Sequence, residues 1–66
     1  MKVVVNEESV ELADSSTLAD LCAHLGLQGR AVVISVDGEL VPRGEYGRFV
    51  LQEASRVEVM ELVGGG

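Results

Sequence analysis

The sequence predicts an α+β fold in which one helix covers one face of a mixed β-sheet. Three features indicate this arrangement: two short pairs of alternating strands, one capped amphipathic segment between them, and a long alternating run near the end of the chain. The chain has 66 residues, which is enough for a single domain with a small core made mostly of Val, Leu and Ile.

The first pair of strands is an opening hairpin. Val3 and Val5 share one face of the first strand, and Val10 and Leu12 share a face of the second. The polar run 6–9 between them has the composition of a turn.

The helix is predicted to begin at Thr17. The Thr17 hydroxyl can cap free backbone amides and Asp20 can bond back, in the manner of a capping box. Gly26 supplies the left-handed residue that ends a helix, and Leu27 can close the cap with an apolar contact. The apolar stripe of this helix has i, i+3, i+4, i+7 spacing and consists of Leu18, Leu21, Cys22 and Leu25.

The second hairpin follows the helix. Val32, Ile34 and Val36 alternate as a half-buried strand, and the tight-turn pair 37–38 leads to a short strand over 39–41 that Pro42 stops.

An irregular or short helical connection over 43–47 is expected to carry Tyr46 toward the core, with Phe49 and Leu51 anchoring it. The alternating run 56–63 then predicts a final strand that stops at three glycines. We therefore expect a domain over residues 1–63 and a flexible glycine tail over residues 64–66.

Charge and hydropathy exclude several classes of partner. Eleven acidic and five basic residues give a net charge of −6, which disfavours nucleic acid and anionic membrane surfaces. The first apolar stretch is three valines long, too short for a signal peptide or a membrane span, so a cytoplasmic protein is expected.

Side chains offer little for catalysis. Cys22 lies on the apolar stripe and is expected to pack as a small hydrophobe, and His24 falls off that stripe as a surface residue. One cysteine and one histidine provide neither an internal disulfide nor a zinc site. Glu7 and Glu8 are expected in a solvated turn. We therefore predict no catalytic residues, no metal and no bound cofactor, and a protein that is not itself an enzyme.

The carboxyl terminus is the better candidate for chemistry. Gly64 and Gly65 can thread as extended backbone through a channel too narrow for a Cβ atom, and so deliver the carboxylate of Gly66 into a partner's active site. Activation as an acyl-adenylate would let a sulfur nucleophile displace AMP. The alternative is an ordinary terminal linker, although linkers usually contain serine as well as glycine.

These features together resemble the sulfur-carrier proteins of thiamine thiazole synthesis, the ThiS family, which share the ubiquitin-like β-grasp fold. The similarity covers essentially the whole chain. It depends on the strand 32–36, the helix from Thr17, the element Leu40-Val41-Pro42-Arg43 with Tyr46, and the end Val63-Gly64-Gly65-Gly66. Gly64 departs from the family, which often has a small side chain there.

The resemblance implies a reaction and its partners. Gly66 would be adenylated by an ATP-dependent activating enzyme and converted to a thiocarboxylate with sulfur from a persulfide donor. It would then be presented to thiazole synthase, with Gly65 and Gly64 in the partner's channel. ATP would be used by the partner enzyme, and the resemblance assigns Arg43 no catalytic role.

Alternation in the last strand predicts a docking surface. If Val57 and Val59 face the helix, then Met60 and Leu62 lie on the opposite sheet face. Exposed apolar residues beside a reactive tail indicate partner docking. The alternative is that a loop covers both side chains.

Other functions stay open at this stage. The small subunit of molybdopterin synthase shares the fold and the diglycine end, but the length and the Val41-Pro42-Arg43 element favour the thiamine type. A ubiquitin-like modifier differs in that an amine attacks the activated Gly66. A plain interaction module would need no tail.

Overall fold

A computed structural model of the protein describes residues 1–62. Residues 63–66 lie outside the described part, so the glycine tail, the domain boundary after residue 63 and the roles given to Gly64, Gly65 and Gly66 stay predictions.

The described residues form one five-stranded sheet and one α-helix. The strands lie in the order β2-β1-β5-β3-β4, so the last strand of the chain lies in the middle of the sheet. β5 runs parallel to β1 and antiparallel to β3. The elements are β1 (Lys2–Val5), β2 (Glu8–Glu11), α1 (Leu18–Leu25), β3 (Val32–Val36), β4 (Glu39–Leu40), a 3₁₀ turn (Arg43–Glu45) and β5 (Arg56–Glu61).

The opening hairpin is confirmed, but its turn is tighter than the predicted run 6–9. Asn6 and Glu7 form the turn with φ angles of 47° and 71°. Two consecutive left-handed residues are typical of the two-residue turns that match strand twist, so Glu8 already belongs to β2. In this register Val3 lies opposite Val10 on the inner face.

The second hairpin follows the same rule. Asp37 and Gly38 have φ angles of 50° and 87°. β4 ends at Leu40, one residue earlier than predicted, although the amide of Val41 still donates to the carbonyl of Ile34 at 3.0 Å. The short helical connection that the sequence predicts is the 3₁₀ turn, and Tyr46 after it packs against the core.

The capping box at the start of α1 is confirmed in both halves. The amide of Asp20 donates to Thr17 Oγ1 at 3.2 Å, and the amide of Thr17 donates to Asp20 Oδ2 at 2.8 Å. At the other end Gly26 has φ 71°, as predicted for the residue that ends the helix.

The expectation that Leu25 belongs to the buried stripe is wrong. Leu25 is 37% exposed, whereas Leu18 and Leu21 are fully buried. Leu25 is the last residue of the short helix, where it lines a shallow open cleft with Val10 and Val59 that leaves part of its side chain uncovered.

The core lies between α1 and the inner face of the sheet. Its buried side chains are Val3, Val5, Leu12, Leu18, Leu21, Cys22, Val32, Ile34, Val36, Val41, Leu51 and Val57. Most of them are aliphatic, as predicted, so packing of branched side chains stabilises the domain.

Replacing Thr17 with Ala is expected to lower the free energy of unfolding by about 1 kcal/mol, because one half of the capping box is lost. For a chain of this size the midpoint of thermal unfolding should fall by roughly 4–8 °C. Thr17→Ser keeps the hydroxyl and should restore most of the loss. Equal stability of Thr17→Ala and the wild-type chain, measured by circular dichroism, would contradict the cap's contribution.

Candidate functional site

The outer face of the sheet, opposite the helix, carries an exposed group of apolar side chains. Cross-strand pairing places Met60 opposite Val33 and places Leu40 opposite Ser35, two residues further along the same strand face. We call Val33, Leu40, Met60 and Leu62 the outer patch.

Exposure of the outer patch is high. Leu40 is 69% exposed, Met60 62% and Leu62 58%, and Val33 is half-buried between them. On the same strand, Val57 is 1% exposed and faces the helix. The predicted positions of Met60 and Leu62 therefore agree with the structure, and the alternative in which a loop buries them does not. Their role as a docking site stays a prediction.

Sequence analysis missed Leu40, because its strand is two residues long and gives no alternation to count. The neighbouring Val41 is buried at 7% exposure, and adjacent strand residues face opposite sides. The sequence alone indicates that Leu40 and Val41 face opposite sides, but it does not indicate which of them is exposed.

Two contacts hold the end of β5 on its β3 side. The amide of Leu62 donates to the carbonyl of Ala31 at 2.9 Å, and the Arg30 guanidinium pairs with Glu61. Arg30 and Glu61 are each 53% exposed, so solvent screening limits this ion pair to about 0.2–1 kcal/mol. The hydrogen bond and the ion pair fix where the chain leaves the sheet.

Arg43 contributes to this anchoring. Its Nη2 donates to the carbonyl of Arg30 at 2.8 Å, which ties the segment after Pro42 to the loop beside the strand end. The resemblance assigns Arg43 no catalytic role, and this contact with the Arg30 carbonyl is a structural one.

The titratable side chains considered from the sequence differ in their burial. Cys22 is buried at 7% exposure, and burial raises the pKa of its thiol, with Arg43 acting in the opposite direction. A raised pKa means less thiolate at neutral pH, so the thiol is a weak nucleophile. His24 and Glu7 are exposed.

Residues 1–62 contain neither a cluster of metal ligands nor a membrane-spanning helix. No cluster of three or more His, Cys, Asp or Glu side chains there is arranged to bind a metal ion. No helix in the same residues has the length and apolar character to cross a bilayer.

Comparison with known proteins identifies the family. The model of the ThiS family matches residues 2–66, nearly the whole chain. The chain belongs to the ThiS family. It is 18% identical over 66 residues to the sulfur carrier protein ThiS of Escherichia coli, covering all of both chains.

A solved structure agrees in fold. The crystal structure of the thiamine biosynthesis protein ThiS from Geobacter metallireducens superposes with a TM-score of 0.84 at 25% identity, covering all of both chains. The predicted β-grasp fold and the predicted family are thus confirmed.

Two curated relatives are much longer. Proteins named thiazole synthase from Paramagnetospirillum magneticum and Magnetococcus marinus are 30% and 36% identical to this chain over 66 residues. The chain spans 20% of the length of each. A segment similar to the whole of this ThiS chain therefore occurs inside larger proteins.

Met60→Glu is expected to change the free energy of unfolding by no more than about 0.5 kcal/mol, because Met60 lies on the surface. Val57→Glu on the same strand provides the matched control: it places an unpaired charge in the core and should prevent stable folding. Urea unfolding of both variants checks the two faces of β5. Comparable destabilisation by both substitutions would contradict the exposure of Met60.

Proposed function

We propose that this ThiS chain carries sulfur for thiamine thiazole biosynthesis on the carboxylate of Gly66. The observation that carries the proposal is the family match, which extends through the three terminal glycines. The weakly nucleophilic Cys22 thiol supports the proposal as well, because such a thiol is a poor carrier of sulfur and the chain terminus is the better candidate.

The proposed chemistry proceeds by activation and substitution. The Gly66 carboxylate attacks the α-phosphorus of ATP in the activating enzyme and forms an acyl-adenylate with release of pyrophosphate. A persulfide sulfur then attacks the acyl carbon and AMP leaves. A second thiol cleaves the resulting S–S bond, which leaves a thiocarboxylate on the carrier and a disulfide on the donor.

Gly64 and Gly65 are proposed to line the narrow entry to each partner's active site. Lack of a Cβ atom lets a glycine backbone pass close to other backbone atoms. The carrier is acted upon and supplies no catalytic side chain, and ATP belongs to the activating enzyme.

Thiazole synthase is the proposed acceptor of the sulfur. The two long relatives that bear this name contain a segment similar to the whole of this chain. A carrier segment within a synthase would keep donor and acceptor at high effective concentration. This chain is proposed to deliver its sulfur to a thiazole synthase as well.

The outer patch is proposed to dock the partners, with Met60 and Leu62 closest to the tail. Glu58 lies on the same sheet face and Glu39 follows the turn beside Leu40, and both are exposed. An apolar contact with carboxylates at its rim fits a partner surface that has an apolar centre and basic edges.

Incubation with the activating enzyme, ATP and a persulfide donor should raise the mass of the chain by the difference between sulfur and oxygen. The modified chain should react with a sulfonyl azide, because a thiocarboxylate is more nucleophilic than a carboxylate. Intact-protein mass spectrometry measures the first change and tandem fragmentation locates it at Gly66.

Two controls separate the alternatives. Cys22→Ala should gain the same mass, whereas persulfidation of Cys22 would add a whole sulfur atom. A chain without Gly65-Gly66 should gain nothing. Formation of an isopeptide bond instead would identify a protein modifier, and an unmodified wild-type chain with a demonstrably active enzyme would leave a plain interaction module.

Met60→Glu should raise the KM of the activating enzyme for the carrier by about tenfold, since burial of the exposed 62% of Met60 contributes roughly 1–2 kcal/mol. Val50→Glu is the control, because Val50 is similarly exposed at 53% but lies outside the outer patch. Steady-state adenylation kinetics with saturating ATP measure the effect. Equal KM values for the two variants would contradict docking through Met60.

A further inference from the structure

The strand that leads to the carboxyl terminus outlasts its partner on one side. β1 pairs with β5 at Val4–Arg56 and Val5–Val57, and the chain then turns away toward β2. The amide of Asn6 donates to the carbonyl of Val57 at 2.9 Å. Beyond this point the β1 side of Val59 faces the turn and not a strand, while its other side pairs with Ile34 of β3.

The side chain of Asn6 takes over where β1 ends. Its Oδ1 accepts from the amide of Val59 at 2.9 Å, and its Nδ2 donates to the carbonyl of Val59 at 3.2 Å. A carboxamide offers the same donor and acceptor as a peptide unit. Asn6 therefore extends the pairing on this side of β5 by one residue, across 53 positions of sequence.

Position 6 requires both a left-handed backbone conformation and a side chain that can bond to Val59. The turn requires a left-handed residue, and Asn6 has φ 47°. Asparagine tolerates that conformation better than most residues with a side chain. Glycine would satisfy the backbone alone, and it would leave Val59 without its two bonds.

A similar contact holds the other end of the strand. Asp37 has φ 50°, and its Oδ1 accepts from the amide of Arg56 at 2.9 Å. Thus the side chains of two left-handed turn residues bond to β5, one at its first residue, Arg56, and one at Val59, two residues before its end. Arg56 begins the strand, whereas Val59 comes directly before Met60 of the outer patch.

We propose that Asn6 is a positioning residue for the carrier reaction. Through Val59 it holds the part of β5 that presents Met60 and Leu62 and that leads, seven residues after Val59, to Gly66. This inference rests on the proposed function. Its physical basis is effective concentration: a strand that frays from Val59 lengthens the unanchored segment and dilutes the terminal carboxylate in the active site of a docked partner.

The test compares three variants. Asn6→Gly removes the carboxamide and keeps the turn, and Asp37→Gly does the same at the opposite end of the strand. Asn6→Asp keeps the shape and the acceptor but faces the carbonyl of Val59 with a second oxygen. Urea unfolding of all three variants measures whether their free energies of unfolding are comparable.

Hydrogen exchange of the Leu62 amide reports the strand end without any partner enzyme. Leu62 bonds to Ala31 on the side of β5 away from Asn6, so its exchange reports fraying and not the direct loss of a bond. Asn6→Gly should accelerate it by about fivefold, the factor expected from two lost hydrogen bonds at the low end of their range. Asn6→Asp should also accelerate the exchange, because this variant loses the bond to the carbonyl of Val59 and places a second oxygen against that carbonyl. Asp37→Gly should leave it unchanged.

Adenylation kinetics provide the functional measurement. The kcat/KM for the carrier should fall by about five- to tenfold in both Asn6 variants and by less than twofold in Asp37→Gly. An equal loss in Asp37→Gly, or wild-type values in Asn6→Gly, would overturn the positioning role while leaving the proposed function intact. A wild-type chain that is not adenylated would overturn the proposed function and the positioning role together.

Discussion

The pairing of the last strand holds the described fold together. β5 lies between the β1–β2 hairpin and the β3–β4 hairpin, and within residues 1–62 the two hairpins join the same sheet only through it. An isolated hairpin is marginally stable in water. The sheet therefore forms only when residues 56–61 pair with residues 4–5 near the start of the chain and with residues 32–36 in its middle. The strand that leads to the candidate reactive terminus is thus also the strand on which the sheet depends.

Local signals in the sequence predicted most of the elements. The capping pair Thr17 and Asp20 and the left-handed Gly26 define the helix through contacts within a few residues. Asp37-Gly38 defines the second hairpin in the same way. Alternation over 56–63 predicted the last strand, because one side of it faces the core and the other faces solvent. Each of these features is a short-range property that a single sequence displays.

The structure differs from the sequence-based predictions at positions where segments that are distant in sequence come into contact. The exposure of Leu25 depends on where the helix ends relative to the sheet, and that of Leu40 depends on the register between β3 and β4. The bonds of Asn6 to Val59 require the parallel β1–β5 pairing, which periodicity does not reveal. From the sequence Asn6 was an ordinary turn residue. The family and the sheet face of Met60 were predictable from the sequence. The hydrogen bonds of Asn6 that hold Val59, the residue before Met60, were not.

In the proposed function the carrier serves two enzymes and must bind each of them and then leave, which limits how strong its docking surface can be. Leu40, Met60 and Leu62 are about 60–70% exposed, so burying what remains open would contribute roughly 1–2 kcal/mol each. Association costs about 4–15 kcal/mol in lost translational and rotational freedom. The outer patch alone would therefore bind a partner enzyme weakly. In the proposed function, threading of the glycine terminus supplies the remaining affinity. A partner would in this way retain the carrier while the terminus occupies its active site and release it once the terminus withdraws.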